Sequence, residues 1–184
     1  QLFQNIGSSG NLANGTILVP DGTTVPYVVA GQNDGTIERV NVSVAHEGTT
    51  AKATVAAFVG LNHGTIYQCS STLPVSGDVG CNITTADGHT YANYVGGLAA
   101  VSVNKDETSM AVIDGCTVNA AVSGGSTVKG GGIVGYAGGR VSSNTFEYGI
   151  TVRQDASRFK NIFATATADL RAYSNAWPTS ALNR

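Results

Sequence analysis

Few residues in this chain are of a type that could do chemistry, and their spacing is loose. The histidines are His46, His63 and His89. His63 sits in "LNHGT" at the position Asp34 holds in "QNDGT". An aspartate and a histidine side by side could form part of a metal site or a sugar contact. Turn residues are the reading adopted for both, because Asn, Asp and His are enriched where the backbone turns left-handed. Asp106 and Glu107 follow Lys105. A carboxylate pair could do glycosidase work, but adjacent residues on a strand or loop usually point apart. No Gly-x-Ser-x-Gly elbow is present, and neither Ser123 nor Ser126 fits one. The run "GGGIVGYAGGRVSSNTF", residues 130–146, holds overlapping glycine spacings. It lacks the Lys-Ser/Thr of a phosphate-binding loop, and no helical period follows it. These patterns predict no catalytic residue, no metal site and no cofactor.

The elements that would position such residues are short strands. Charged residues make up only 12% of the 184, and the net charge is -2. That excludes a basic footprint for nucleic acid and a polybasic membrane patch. No apolar run approaches the roughly 18 residues of a membrane span. Glycine supplies 24 residues, with Thr, Ser, Asn, Val and Ala filling much of the rest. That mixture predicts brief strands joined by Gly and Asn turns. The chain opens on Gln1, which suits a processed product or a fragment.

A repeat organises the middle of the chain. "VVAGQNDGTIERV" (28–40) aligns with "AFVGLNHGTIYQC" (57–69) at an offset of 29 residues. Gly31 meets Gly60, Asn33 meets Asn62, Gly35 meets Gly64, and Ile37 meets Ile66. "GIVGYAGGRVSSN" (132–144) adds Gly135, Gly139 and Val141 to the same columns. A split copy begins in "GGLAAVS", with Leu98 in the column of Phe58 and Ile133, and ends in "VIDGC". There Ile113 falls under Ile66 and Cys116 under Cys69, with a polar insertion between the halves. A degenerate further copy opens the chain as "LFQNIGSSGNLANGTI".

Each copy reads as a short apolar strand, a glycine turn, a second strand and polar residues. The six glycines are expected at turns, where they permit positive φ or close backbone approach. One copy cannot bury its own apolar strip, so copies must stack. Two ladders are predicted: Ile37, Ile66, Ile113, Val141; and Val40, Cys69, Cys116, Asn144.

The columns resemble the GLUG repeat, carried here by "VVAGQNDGTI", "AFVGLNHGTI", "YVGGLAAV" with "VIDGC", and "GGIVGYAGGRV". GLUG-type repeats are found in large secreted and cell-surface proteins, adhesin-like proteins among them, and beside certain secreted peptidase domains. The resemblance implies right-handed β-helical coils and brings no catalytic residue. Ala100 departs from it, standing where the first turn glycine is expected.

The expected fold is therefore all-β, a right-handed β-solenoid of four to five irregular coils over residues 1–149. Residues 150–184 are expected to form a strand-like capping or inter-subunit extension. In its stretch "NIFATATADLRAY" alternate residues separate Ile162 and Leu170 from Phe163. These three and Trp177 are the candidates for assembly. Three cysteines leave one unpaired, so Cys81 is expected to bridge either Cys69 or Cys116. Asn14, Asn41 and Asn82 head glycosylation triplets. Tyr67, Tyr91, Tyr94, Tyr136 and Tyr148 share no column, which argues against a sugar-stacking strip.

The function expected is that of a secreted or cell-surface structural protein that associates with copies of itself. A carbohydrate-binding or carbohydrate-cleaving β-helix, engaging host or environmental glycans, is the first alternative. Its candidates are Asp34, His63, Lys105, Asp106 and Glu107. A repeat fragment of a larger secreted adhesin or peptidase is the second.

Overall fold

The computed structural model describes residues 1–46, 48–78, 81–125, 127–146 and 150–151, with Cys81, Ile150 and Thr151 described by backbone alone. The described residues are strands and turns without a helix. The chain passes five times through three sheets in the same order. Each pass contributes one strand to the first sheet: Phe3–Ile6, Ala30–Asn33, Val59–Asn62, Ala99–Ser102 and Val134–Ala137. These pair in parallel and in that sequence. The third sheet repeats the pattern from Thr24–Val25 through Lys52–Ala53, Val75–Gly77 and Val122–Gly124 to Ile150–Thr151. The paired strands thus run to Thr151, two residues past the expected boundary at 149.

The second sheet carries both predicted ladders. Ile37 pairs with Ile66, Ile66 with Ile113, and Ile113 with Val141. Leu12 extends the column at one end, opposite Ile37. The three isoleucines are fully buried, while Leu12 and Val141 at the two ends are half-buried. Each fully buried β-branched side chain contributes roughly 1.5–3 kcal/mol over its exposed state. A second inner column stacks Val29, Phe58, Leu98 and Ile133 through main-chain bonds such as Phe58 N to Leu98 O at 3.0 Å. In the other predicted ladder, the Cys69 N–H points at Cys116 Sγ (3.4 Å) and the Cys116 N–H donates to Asn144 Oδ1 (2.8 Å).

Of the two roles expected of the six glycines, the structure uses close approach, and only Gly35, Gly64 and Gly139 lie at bends. None has positive φ, and Gly31, Gly60 and Gly135 lie inside strands rather than at turns. Close approach is what requires a glycine. A Cβ on Gly64 would strike the Gly35 carbonyl of the preceding pass, and one on Gly35 would strike those of Gly7 and Gly10. The left-handed corner falls elsewhere, once per pass: Asn14 (φ 59), Arg39 (φ 50), Gln68 (φ 50), Gly115 (φ 64) and Ser143 (φ 55). The last four precede the ladder positions Val40, Cys69, Cys116 and Asn144, and the stacked passes hold a conformation that costs L-residues roughly 1–2 kcal/mol.

Two polar devices join neighbouring passes. Asn33 Nδ2 donates to Asn62 Oδ1 (2.8 Å), and Asn62 Nδ2 donates to Ser102 Oγ (3.1 Å). All three residues are fully buried. Asp21 Oδ1 accepts from Thr50 N and Thr49 Oγ1 at 2.7 Å, and from Gly22 N at 2.9 Å. These bonds, that from the Thr50 amide foremost, lower the Asp21 carboxyl from an ordinary 3.8 to about 2.

An antiparallel hairpin interrupts the repeat. Cys81–Thr84 pairs with Thr90–Gly96, which also pairs in parallel with Lys129–Gly131. It packs over the outer face of the first sheet, where Leu61, Val101 and Tyr136 meet Tyr94 and Val103. Val59–Asn62 and Ala99–Ser102 are therefore buried at every position, without the alternation a one-sided sheet would show.

Two outcomes test these contacts. Gly64→Ala should cost about 1–3 kcal/mol in urea unfolding. Gly15→Ala, with open space at its Cβ, should change stability by no more than about 0.5 kcal/mol. A carboxyl lowered by folding stabilises above its unfolded pKa and loses that effect as pH falls through the folded one. The melting temperature of wild type should therefore exceed that of Asp21→Asn at neutral pH, and the gap should close between about pH 4 and pH 2.

Candidate functional site

Of the sequence candidates, Asp34, His63 and Lys105 come together. Asp34 and His63 sit at matching positions on neighbouring passes, where each backbone amide bonds back to the pass before. Lys105 reaches them from the insertion in the split copy, its Nζ 3.3 Å from Asp34 Oδ2. Gln32 Nε2 donates to both oxygens of the same carboxylate, at 2.9 and 3.0 Å. His63 is 8% exposed, and its Nδ1 lies 2.8 Å from the Val103 carbonyl. A carbonyl only accepts, so Nδ1 carries the proton and Nε2 of the neutral ring is an acceptor.

Asp106 and Glu107 do not join them. Asp106 Oδ1 accepts from Thr108 N, Thr108 Oγ1 and Ser109 N, each at 2.8 Å. The carboxylate closes its own loop, and these bonds, the Thr108 hydroxyl first, lower its pKa. Glu107 is exposed. No glycosidase pair is formed by these two residues.

Gln32, His63 and Lys105 border a cleft of about 100 Å³, whose opposite wall is the hairpin turn; Asp34, held by Gln32 and Lys105, stands behind them. Thr85, Asp87 and Tyr91 supply that wall. Asp87 accepts from the Thr85 hydroxyl and from His89 N, which lowers its pKa, the hydroxyl contributing most. The Tyr91 ring stands edge-on to both His89 and Tyr136, with centroids 4.5 Å apart in each case. Tyr94 meets Tyr136 in the same manner at 5.4 Å. The expectation of scattered tyrosines is thus corrected for these three, because the hairpin folds Tyr91 and Tyr94 onto the sheet that bears Tyr136. A signal for this wall was present in the sequence: Asp87-Gly88, the Asp-Gly pair that favours tight hairpins, with Gly88 at φ 82.

The remaining candidates fall apart from the cleft. His46 is exposed, and His89 belongs to the tyrosine cluster. Among the described residues, no group of three or more His, Cys, Asp or Glu side chains is arranged to hold a metal ion. Asn14 and Asn82 are exposed, whereas Asn41 is half-buried and accepts from Ser70 Oγ (3.1 Å). Ile162, Phe163, Leu170, Trp177 and Tyr148 lie outside the described residues.

Cys69 and Cys116 are free and buried, so neither makes the expected bridge to Cys81. Each thiol lies instead in the ladder, near carbonyls of its own and the preceding pass. The hydrogen bond with Cys69, followed by burial, raises the Cys116 thiol well above its ordinary value. The same bond lowers the Cys69 thiol, and burial is what keeps both sulfurs from a reagent. Native protein treated with iodoacetamide should therefore carry no label on Cys69 or Cys116, and both should label in denaturant without reductant. Peptide mass mapping reads the result.

Compared with known proteins, the chain matches no family model, no curated sequence and no solved structure.

Proposed function

We propose that this chain is an extracellular structural protein, a GLUG-like β-solenoid that associates end to end with copies of itself. The observation that carries the reading is its first pass. Among the described residues, Asn11–Val19 pairs only with Thr36–Val44, and Phe3–Ile6 is the edge of the first sheet. Both present a row of backbone groups that no described strand pairs. Leu2, Phe3 and Leu18 are 55%, 44% and 61% exposed on this pass. No charged side chain occurs before Asp21. Soluble β proteins commonly blunt an open edge with lysine, proline or a bulge. This one is long, apolar and uncharged, as a surface for strand addition would be.

The proposed occupant is the far end of a second copy, including its residues 152–184. The first and last passes lie at opposite ends of the stack in the three sheets that the passes build. A head-to-tail contact between unlike ends does not close on itself and propagates as a filament. Low charge and polar small residues on the outer face suit a stalk or adhesive fibre outside the cell.

Thr16→Lys with Leu18→Lys places two charges on exposed positions of the open edge. This variant should keep its strand content by circular dichroism while losing the large species seen by sedimentation and electron microscopy. Deleting residues 159–184 should have the same effect. Filaments that persist in both variants, or a wild type that stays monomeric at every concentration, would overturn the reading.

A further inference from the structure

We propose that the cleft between the hairpin turn and the first two repeat copies binds a terminal residue of a neutral sugar. The inference does not depend on assembly, since every group it uses belongs to one chain.

Three observations converge. First, the polar groups are already fixed. Asp34 is held by Gln32 and Lys105, and its side chain is only 15% exposed. Asp87 is fixed by Thr85 and His89, and the His63 ring by Val103. Groups restrained before a ligand arrives lose little entropy on binding it. Second, donors and acceptors alternate around one small space. The Asp87 carboxylate and His63 Nε2 accept, while the Lys105 ammonium donates and has protons beyond the one aimed at Asp34. A sugar hydroxyl donates and accepts at once, so neighbouring hydroxyls match such a set. Third, the Tyr91 ring forms part of the wall and is backed by Tyr136. An apolar ring beside convergent polar groups is the usual composition of a small-molecule site.

Charge selects among sugars. The Lys105 ammonium is already paired with Asp34, which leaves the Asp87 carboxylate on the cleft wall without a cation among the cleft residues. The Asp87 carboxyl is held below its ordinary pKa and stays ionised at neutral pH. The excess negative charge repels uronic and sialic acids. The volume of about 100 Å³ admits one sugar ring in part, not a chain. The site therefore fits the end of a glycan rather than its middle.

The test uses the full chain and a series of methyl glycosides of neutral hexoses, with methyl glucuronide as the charged comparison. Binding is followed by saturation-transfer NMR and by the His63 imidazole resonances. At least one neutral glycoside should saturate and shift His63, and the glucuronide should bind more weakly. Asp34→Asn with Lys105→Ala should weaken binding at least tenfold with strand content unchanged. Asp87→Asn, on an exposed turn, should reduce the preference for neutral over charged sugar. Three results would each overturn the proposal: no neutral glycoside moves His63, the glucuronide binds best, or the double variant binds as wild type does.

Discussion

Main-chain hydrogen bonds between successive passes, such as Val29 N to Phe58 O and Phe58 N to Leu98 O, set the spacing to which everything else conforms. Parallel strands joined this way lie about 4.8 Å apart. Whatever stands at one position meets the corresponding residue of the next pass at that distance. Isoleucine over isoleucine fills the interior. Asparagine over asparagine satisfies a buried amide that would otherwise cost about 1–3 kcal/mol. Where the backbone itself swings inward, as at Gly35 and Gly64, 4.8 Å leaves no room for a side chain. Composition follows from the same spacing. Large side chains are few because few positions have space, and charges are few because like would stack on like.

The same constraint explains where the chemistry-bearing groups collect. A column repeats its residues, so a purely regular stack can present only rows of similar groups. A cleft with mixed donors, acceptors and an aromatic wall needs residues from outside the pattern. The two insertions supply them. The hairpin Cys81–Thr84 with Thr90–Gly96 brings Asp87 and Tyr91, and the expanded loop after Ala99–Ser102 brings Lys105. Both insertions lie against the outer face of the first sheet, and each is anchored there. Tyr94 and Val103 pack into the second apolar cluster, while the Val103 carbonyl orients His63.

Much of this was legible in the residues. The 29-residue offset placed Ile37 on Ile66 and Asn33 on Asn62, and the split copy placed Ile113 and Cys116 correctly despite its insertion. Side-chain periodicity reads well because an error of one residue would turn Ile66 out to solvent and Tyr67 inward. The glycines were harder to read. Their number suggested turns, yet Gly60 and Gly135 lie in mid-strand, and the left-handed corner fell on Arg39, Gln68 and Ser143. No local preference marks Arg or Gln for that conformation. Stacking imposes it, because every pass must turn where its neighbour turns.

Sequence by itself determined which residues are equivalent, because a repeat states its own register and burial follows the alternation of apolar side chains. It also determined that Asp34 and His63 would be neighbours, since they occupy one column. Only the tertiary structure decided that Lys105, Asp87 and Tyr91 would meet them. Those three come from segments without counterparts in the other copies, and nothing in a periodic pattern fixes where an unrepeated segment folds back. Its position is set by the outer face of the first sheet, an apolar surface that exists only once the passes have assembled.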